Sequence, residues 1–281
     1  MGHYLARRLL LFVPTLFAVS LLIFFLLRIV PGDVAVSILL GSEGREATAE
    51  DIARLRHELG LDKPIVIQYA DWAAGLARLD WGKSLYTKEP VSEYIANRFP
   101  VTLELALLTS MISVLLGIPL GLISAVRQNT WLDYVMRLIS IGGVTIPNFW
   151  LGTLLLLALV TLLGWAPPLG FPTLFEDPLK NLTIMVWPSL VLGYHFTAYL
   201  SRMTRSCMLE VLRQDYVRTA LSKGLRERAV VLRHALRNAL LPVVTLLGLQ
   251  MGALIGGTIV VEAIFVLPGV GLTLIDAISI R

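Results

Sequence analysis

Hydrophobic and polar residues come in blocks along this chain. Five blocks, at residues 9–30, 101–126, 135–163, 184–201 and 239–261, carry almost no charge and are rich in Leu, Ile, Val and Phe. About 20 apolar residues of helix cross the hydrocarbon core of a bilayer, so each block is predicted to span a membrane. Pro14, Pro119, Pro147 and Gly152 lie inside them. Membrane helices tolerate such residues because neighbouring helices satisfy the freed backbone groups. The predicted fold class is an all-α membrane protein, a multi-pass helical bundle. Arg7 and Arg8 precede the first block as they would in a signal peptide. Its uncharged run from Leu9 to Leu27 exceeds the roughly 7–15 residues of a signal's apolar region, and no small-residue cleavage site follows. It reads as a retained span.

Between the blocks, the polar pattern predicts two further elements. Ile52, Leu55 and Leu59 recur at helical spacing among charges, and Thr48 stands where a cap would. A short amphipathic helix is therefore expected over residues 49–59. Tyr69, Trp72, Leu76, Leu79 and Trp81 predict a second helix with an interfacial aromatic cluster. Residues 31–100 as a whole are expected to fold as a small cap on the outer face.

Charge supplies orientation. The 281 residues are 56% hydrophobic and only 16% charged, with net charge +4; soluble domains carry about a quarter charged residues. Residues 202–238 hold nine Lys or Arg against three acids, whereas residues 31–100 hold eight against eleven. Arg127 follows the second block and Arg137 opens the third. Short basic loops stay in the cytoplasm, so the N-terminus and residues 202–238 are assigned there. Residues 31–100 and 164–183 are assigned outside. Cys207 is the single cysteine, which excludes an internal disulfide and a cysteine-based metal site.

The most informative loop is at residues 207–240. Leu209, Leu212, Tyr216 and Ala220 share one helical face, and Gly224 can end that helix in the left-handed conformation. A second amphipathic helix is expected after it, with Pro242 marking the passage into the fifth block. Adhesion to anionic lipid would explain the arginines, but not a tight turn between two helices. Docking to a partner protein explains both.

At this point the chain resembles a known family. Arg218-Thr-Ala-Leu-Ser-Lys-Gly-Leu225 and Arg233-His-Ala-Leu-Arg-Asn-Ala-Leu-Leu-Pro-Val-Val-Thr245 are similar to the ATPase-docking loop of binding-protein-dependent ABC-transporter permeases, in the dipeptide, oligopeptide and nickel branch. Arg8-Leu-Leu with Pro14, Val30-Pro-Gly-Asp33, Leu59-Gly-Leu-Asp-Lys-Pro64, Gln68-Tyr69 and Trp81-Gly-Lys-Ser84 resemble the first of the two paired permeases. So do Ile146-Pro-Asn-Phe-Trp150, Glu262-Ala-Ile-Phe265 and Pro268-Gly-Val-Gly271.

The resemblance implies a single permease domain over residues 1–281 of the type I importer kind, in a bacterial inner membrane. It implies import of short peptides, or of solutes such as glutathione or chelated nickel, by alternating access. The implied partners are a second homologous permease, two cytoplasmic ATP-binding subunits, a periplasmic or surface-anchored solute-binding protein and the lipid bilayer. No nucleic acid is expected, and no cofactor on this chain; ATP is used by the partners. Tyr216, Arg218, Thr219, Ala220, Lys223, Gly224, His234, Asn238 and Pro242 become the candidate docking residues. Lys83 departs from the small or apolar residue that is commoner there. The family has six spans. With the fifth block running outward, residues 262–281, with Pro268, Gly269, Gly271 and Asp276, read as an outer turn leading to a sixth helix. A further segment of roughly 30–40 residues is expected.

Other chemistry finds little support. Gly82-Lys-Ser84 ends like a phosphate-binding loop, but that loop needs glycine at position 77, which is Ala. His195 lies mid-block beside Tyr194 and Tyr199. An ionisable group inside a membrane is a candidate for the translocation path, and a structural hydrogen bond is the competing reading. His3, His57 and His234 are too distant to complete a metal cluster. Glu104 reads as interfacial, and Arg202 and Arg205 as snorkelling to the interface. No arrangement for nucleophilic or paired-carboxylate catalysis emerges, and the chain is expected not to be an enzyme. An ion-gradient-driven transporter would need polar residues at the midplane or inverted repeats. A passive channel would not need the docking loop.

Overall fold

The computed structural model describes residues 2–29, 33–43, 48–85, 87–168 and 170–279. Among these the secondary structure is helical, apart from a single bridge between Lys83 and Pro90. The chain divides into two compact units, Met1–Ile95 with Ala277–Arg281, and Ala96–Asp276.

The first unit holds α1 (Gly2–Ile29), α2 (Val34–Glu43), α3 (Ala49–Glu58) and α4 (Ile65–Ala77). The predicted helix at 49–59 is α3. Thr48 caps it by accepting from the Asp51 amide, while the Asp51 carboxylate accepts from the Thr48 amide. This reciprocal capping box satisfies two orphan donors at once. Arg56 donates from Nε to Asp33 at 2.9 Å, fixing α3 to the start of α2. Their pairing holds the Asp33 carboxyl below the usual carboxylate range. The aromatic cluster forms with different members from those expected. Tyr69 and Trp72 of α4 meet Phe17 and Phe24 of α1, with ring centroids 5.4–6.0 Å apart. Ser20 and Tyr69 share a 2.8 Å hydrogen bond. Leu79 and Trp81 lie past the end of α4. Helix α4 is therefore packed on the first hydrophobic helix itself.

The second unit holds most of α5 (Val91–Val126), then α6 (Trp131–Thr145), α7 (Asn148–Leu163), α8 (Pro178–Leu212), α9 (Asp215–Ser222) and α10 (Glu227–Ala229). A π-helical turn, Val230–Ala235, leads into α11 (Leu236–Gly257), followed by α12 (Ile259–Ile264) and α13 (Val270–Ser279). Helix α8 is the hub, packed against α6, α7 and α11. Small residues permit the approach, as at membrane helix interfaces generally. A Cβ added to Gly121 would come 2.5 Å from the Ser201 carbonyl oxygen, and one on Gly143 would come 2.7 Å from the Ala198 methyl. Leu105, Met185, Leu192, Leu254, Phe265 and Leu267 form the main core. A second cluster, with Ala125, Cys207, Met208, Val231 and Ala235, lies where α8 approaches the π turn.

The helix inventory differs from the five predicted blocks in two places. Among the described residues, three helices are long and apolar enough to cross a membrane: Ala6–Ile29, Val91–Val126 and Glu227–Gly257. The block at 135–163 is instead α6 and α7, bent by 101° at Ile146–Pro147. A residue before proline is pushed out of the α region, and Ile146 has ψ 122°. Counted together the pair makes a fourth crossing. The block at 184–201 lies inside the 35-residue α8. That helix falls outside the count because Trp187, Pro188, Tyr194, His195 and Tyr199 dilute its apolar character. Its Ile184, Met185, Val191, Leu192, Leu200 and Met208 are buried against other helices, while Leu182, Val186 and Leu190 stay exposed.

Candidate ATPase-docking turn and the clusters behind it

The loop at 207–240 folds as two helical elements around a closed turn. Gly224 has φ +79°, the Gly224 amide donates to the Leu221 carbonyl at 2.9 Å, and the Leu225 amide donates to the Ala220 carbonyl at 3.4 Å. These paired bonds are the Schellman pattern that ends helices at glycine. A Cβ on Gly224 would meet nothing within 4 Å, so glycine is favoured here by backbone conformation alone. Thr219 donates its hydroxyl to the Asp215 carbonyl at 2.9 Å. Asn238 donates to the Tyr216 hydroxyl at 2.8 Å, joining α9 to the start of α11. Val217 is buried beneath α9, whereas Tyr216, Arg218, Lys223, His234, Asn238 and Pro242 are exposed and Ala220 is half-buried. Arg218 lies 3.8 Å from Asp215 across the open surface, a pair worth about 0–1 kcal/mol.

Two details differ from the predicted loop. Leu209 and Leu212 are not on one continuous helix with Tyr216 and Ala220, because the chain turns at Arg213 and Gln214 between α8 and α9. Nor does Pro242 mark a boundary. The segment after the turn runs through the π turn straight into α11, with Pro242 inside it. The π turn buries Val230, Val231 and Ala235, and such insertions re-aim a helix without ending it.

Between α5, α6 and α8 stands a buried ion pair that sequence spacing did not reveal. Asp133, fully buried in the first turn of α6, accepts from Arg205 Nε and an Arg205 terminal nitrogen, both at 2.9 Å. Ser124 and the Asn129 amide donate to the same carboxylate at 2.5 and 3.1 Å. Arg205 therefore does not snorkel; it turns inward and ties α8 to α5 and α6. Bidentate geometry with every carboxylate oxygen satisfied is what makes a buried pair tenable.

A second sealed carboxylate belongs to the Glu262–Gly271 motif. Glu262 is fully buried on α12. Its Oε1 accepts from Thr102 at 2.8 Å and Thr258 at 2.7 Å, and its Oε2 accepts from the Leu272 amide at 2.9 Å. Thr102 in turn accepts from the Val270 amide at 2.9 Å. Glu262 and Thr102 thus satisfy one orphan donor each at the start of α13. A Cβ on Gly269 or Gly271 would approach that carboxylate to 2.4 or 2.8 Å. The acid and both glycines are one unit, and their fixed spacing was the signal available in the sequence.

His195 is half-buried on α8, with Nδ1 2.9 Å from the Gly143 carbonyl, so that nitrogen is the donor. Its ring also meets Tyr199 edge-on at 5.1 Å. It bridges α8 to α6. Glu104 is half-buried and accepts from Asn181 at 3.3 Å. Cys207 is buried. Among the described residues no group of His, Cys, Asp or Glu could hold a metal ion.

Comparison with known proteins shows the family. Residues 117–281 match the family described as binding-protein-dependent transport system inner membrane component, and residues 1–106 match the N-terminal segment of the same systems. The chain is 41% identical over 301 residues to the di/tripeptide transport system permease protein DppB of Pseudomonas aeruginosa, covering 100% of this chain and 89% of that protein. It is 41% identical over 281 residues to the glutathione transport system permease protein GsiC of Escherichia coli K12, covering 100% and 88%. The fold is similar to a solved amino acid ABC transporter, with TM-score 0.51 at 15% identity, over 68% of this chain and 81% of that one. These relationships set aside an ion-gradient-driven transporter, and the chain belongs to the binding-protein-dependent inner membrane component family as a multi-pass permease subunit of an ABC importer.

Proposed function

We propose that this permease carries short peptides or closely related solutes inward by alternating access, driven through the turn at Gly224. The substrate class rests on the relatives named for di/tripeptides and glutathione. Two permease chains, this one and a homologue, enclose the path. A solute-binding protein delivers solute at the outer face, and two cytoplasmic ATP-binding subunits close on ATP. No cofactor is held by this chain, which is not itself an enzyme. The N-terminus lies in the cytoplasm with the basic loops, and residues 31–100 lie outside. Residues 1–281 work as one permease domain.

The observation that carries the docking assignment is the turn itself. Thr219, Ala220, Lys223 and Gly224 stand in a closed turn whose side chains reach open surface, while Val217 and the π turn anchor it to the core. A push on α9 is therefore delivered to α11 through rigid contacts. Arg218 and Lys223 offer charge to acids on the ATPase, and since exposed pairs contribute only about 0–1 kcal/mol, apolar contact must supply most of the affinity. His195 is assigned a bridging role beside the path, between α6 and α8.

The test is Gly224→Val. A β-branched residue at positive φ costs about 1–2 kcal/mol, enough to open the turn without unfolding the bundle. Membrane levels should stay normal while ATPase co-purification and uptake fall. Normal uptake would reject the turn as the docking element. Replacing Arg218, Arg226 and Arg228 by Glu should likewise weaken ATPase co-purification more than three charge changes within residues 43–63, and equal loss from both sets would count against the orientation.

A further inference from the structure

We propose that this permease holds the phosphate headgroup of an anionic phospholipid in an arginine-lined cleft between α6 and the end of α8. The cleft has a volume of about 720 Å³ and is lined by Arg137, Arg202, Arg205 and Arg213, with Glu210 and Ser206 beside them. That volume is in the range of ligand sites, about 300–1,000 Å³. Four guanidiniums face one lining carboxylate, and with Asp133 counted behind the wall two positive charges remain in excess.

Like charges gathered in a concave surface repel one another unless an anion joins them. The guanidinium fork matches phosphate oxygens in bidentate geometry. Arg205 is already committed to Asp133 and is 22% exposed. Arg137, 47% exposed and 4.0 Å from Asp133, keeps most of its donors outward. Among the described residues no carboxylate lies within ion-pair distance of Arg202 or Arg213. The cleft is thus a fixed wall, set by the buried ion pair, with three further arginines at its mouth.

The neighbouring surface favours lipid over a soluble anion. Tyr134, Leu138 and Ile141 flank Arg137 at helical spacing on α6, exposed by 57%, 70% and 53%. A phosphate seated among the arginines would lay its acyl chains along that face. Basic pockets between membrane helices on the cytoplasmic side hold anionic headgroups in this way. The assignment to the cytoplasmic leaflet rests on the proposed orientation; binding itself does not.

The assembled transporter is reconstituted in nanodiscs of equal phosphatidylglycerol and phosphatidylcholine, transferred to detergent, and its retained lipid counted by native mass spectrometry. The wild type should keep at least one phosphatidylglycerol per permease, and inorganic phosphate at 10 mM should not displace it. Arg137→Gln with Arg213→Gln should reduce retention at least tenfold, and Arg202→Gln alone by a smaller factor. Arg54→Gln with Arg78→Gln, which removes equal charge from the first unit, should leave retention unchanged. The lipid count is blind to orientation, so its failure is separate from failure of the docking test. Equal retention in the cleft variants, equal loss in the control pair, or displacement by inorganic phosphate would overturn the proposal.

Discussion

Gly224 and Gly269 both stand in turns between helices, for opposite reasons. Around Gly224 a Cβ would find open space, and the positive φ alone favours glycine. Around Gly269 a Cβ would strike the Glu262 carboxylate at 2.4 Å. The turn at 268–271 is finished internally, since Glu262, Thr102 and Thr258 satisfy one another and the α13 amides. The turn at Gly224 leaves Arg218 and Lys223 facing outward. A turn completed by its own chain is a structural joint, and a turn left open is a place for another chain. Mutations should separate the two, with stability lost at one and coupling lost at the other.

Glu262→Ala should have the largest effect. It leaves two buried hydroxyls and an amide without their acceptor, each costing about 1–3 kcal/mol. A loss of about 4 kcal/mol is expected, read as a lower Tm of the purified protein and reduced membrane abundance. Gly269→Ala overpacks the same joint and should cost about 3 kcal/mol. The matched change Gly224→Ala should cost only about 1 kcal/mol yet reduce ATPase co-purification. Equal Tm changes for the two glycines would mean that both turns are structural joints. Asp133→Asn should cost about 2 kcal/mol, less than a fully buried pair because Arg205 keeps some exposure. It should leave docking intact, so a loss of co-purification at unchanged Tm would extend the docking element to α6. Asn238→Ala should be the mildest, about 1 kcal/mol for one hydrogen bond, seen as a small drop in co-purified ATPase.

Much of this was legible in the residues. Blocks of Leu, Ile, Val and Phe marked the bundle, Thr48 with Ile52, Leu55 and Leu59 marked α3, and Gly224 marked the turn, because each signal is local. The buried joints were less so. Asp133 and Arg205 are 72 positions apart, and Thr102 and Glu262 are 160 apart; pairing over such distances leaves no periodicity to read. The bend at Pro147 was hidden because proline is tolerated within spans. Helix α8 was harder to read, for its Tyr194 and His195 bond to carbonyls of α6, contacts that the composition of the block does not display.

A separate ATPase is proposed to drive this permease through the exposed turn. Vesicles containing the full transporter, loaded with ATP and supplied with binding protein and a labelled dipeptide, provide the direct measurement. Uptake should require both the ATPase subunits and ATP, and Gly224→Val vesicles should lose it while retaining the protein. Uptake driven by a proton or sodium gradient without the ATPase would contradict the account.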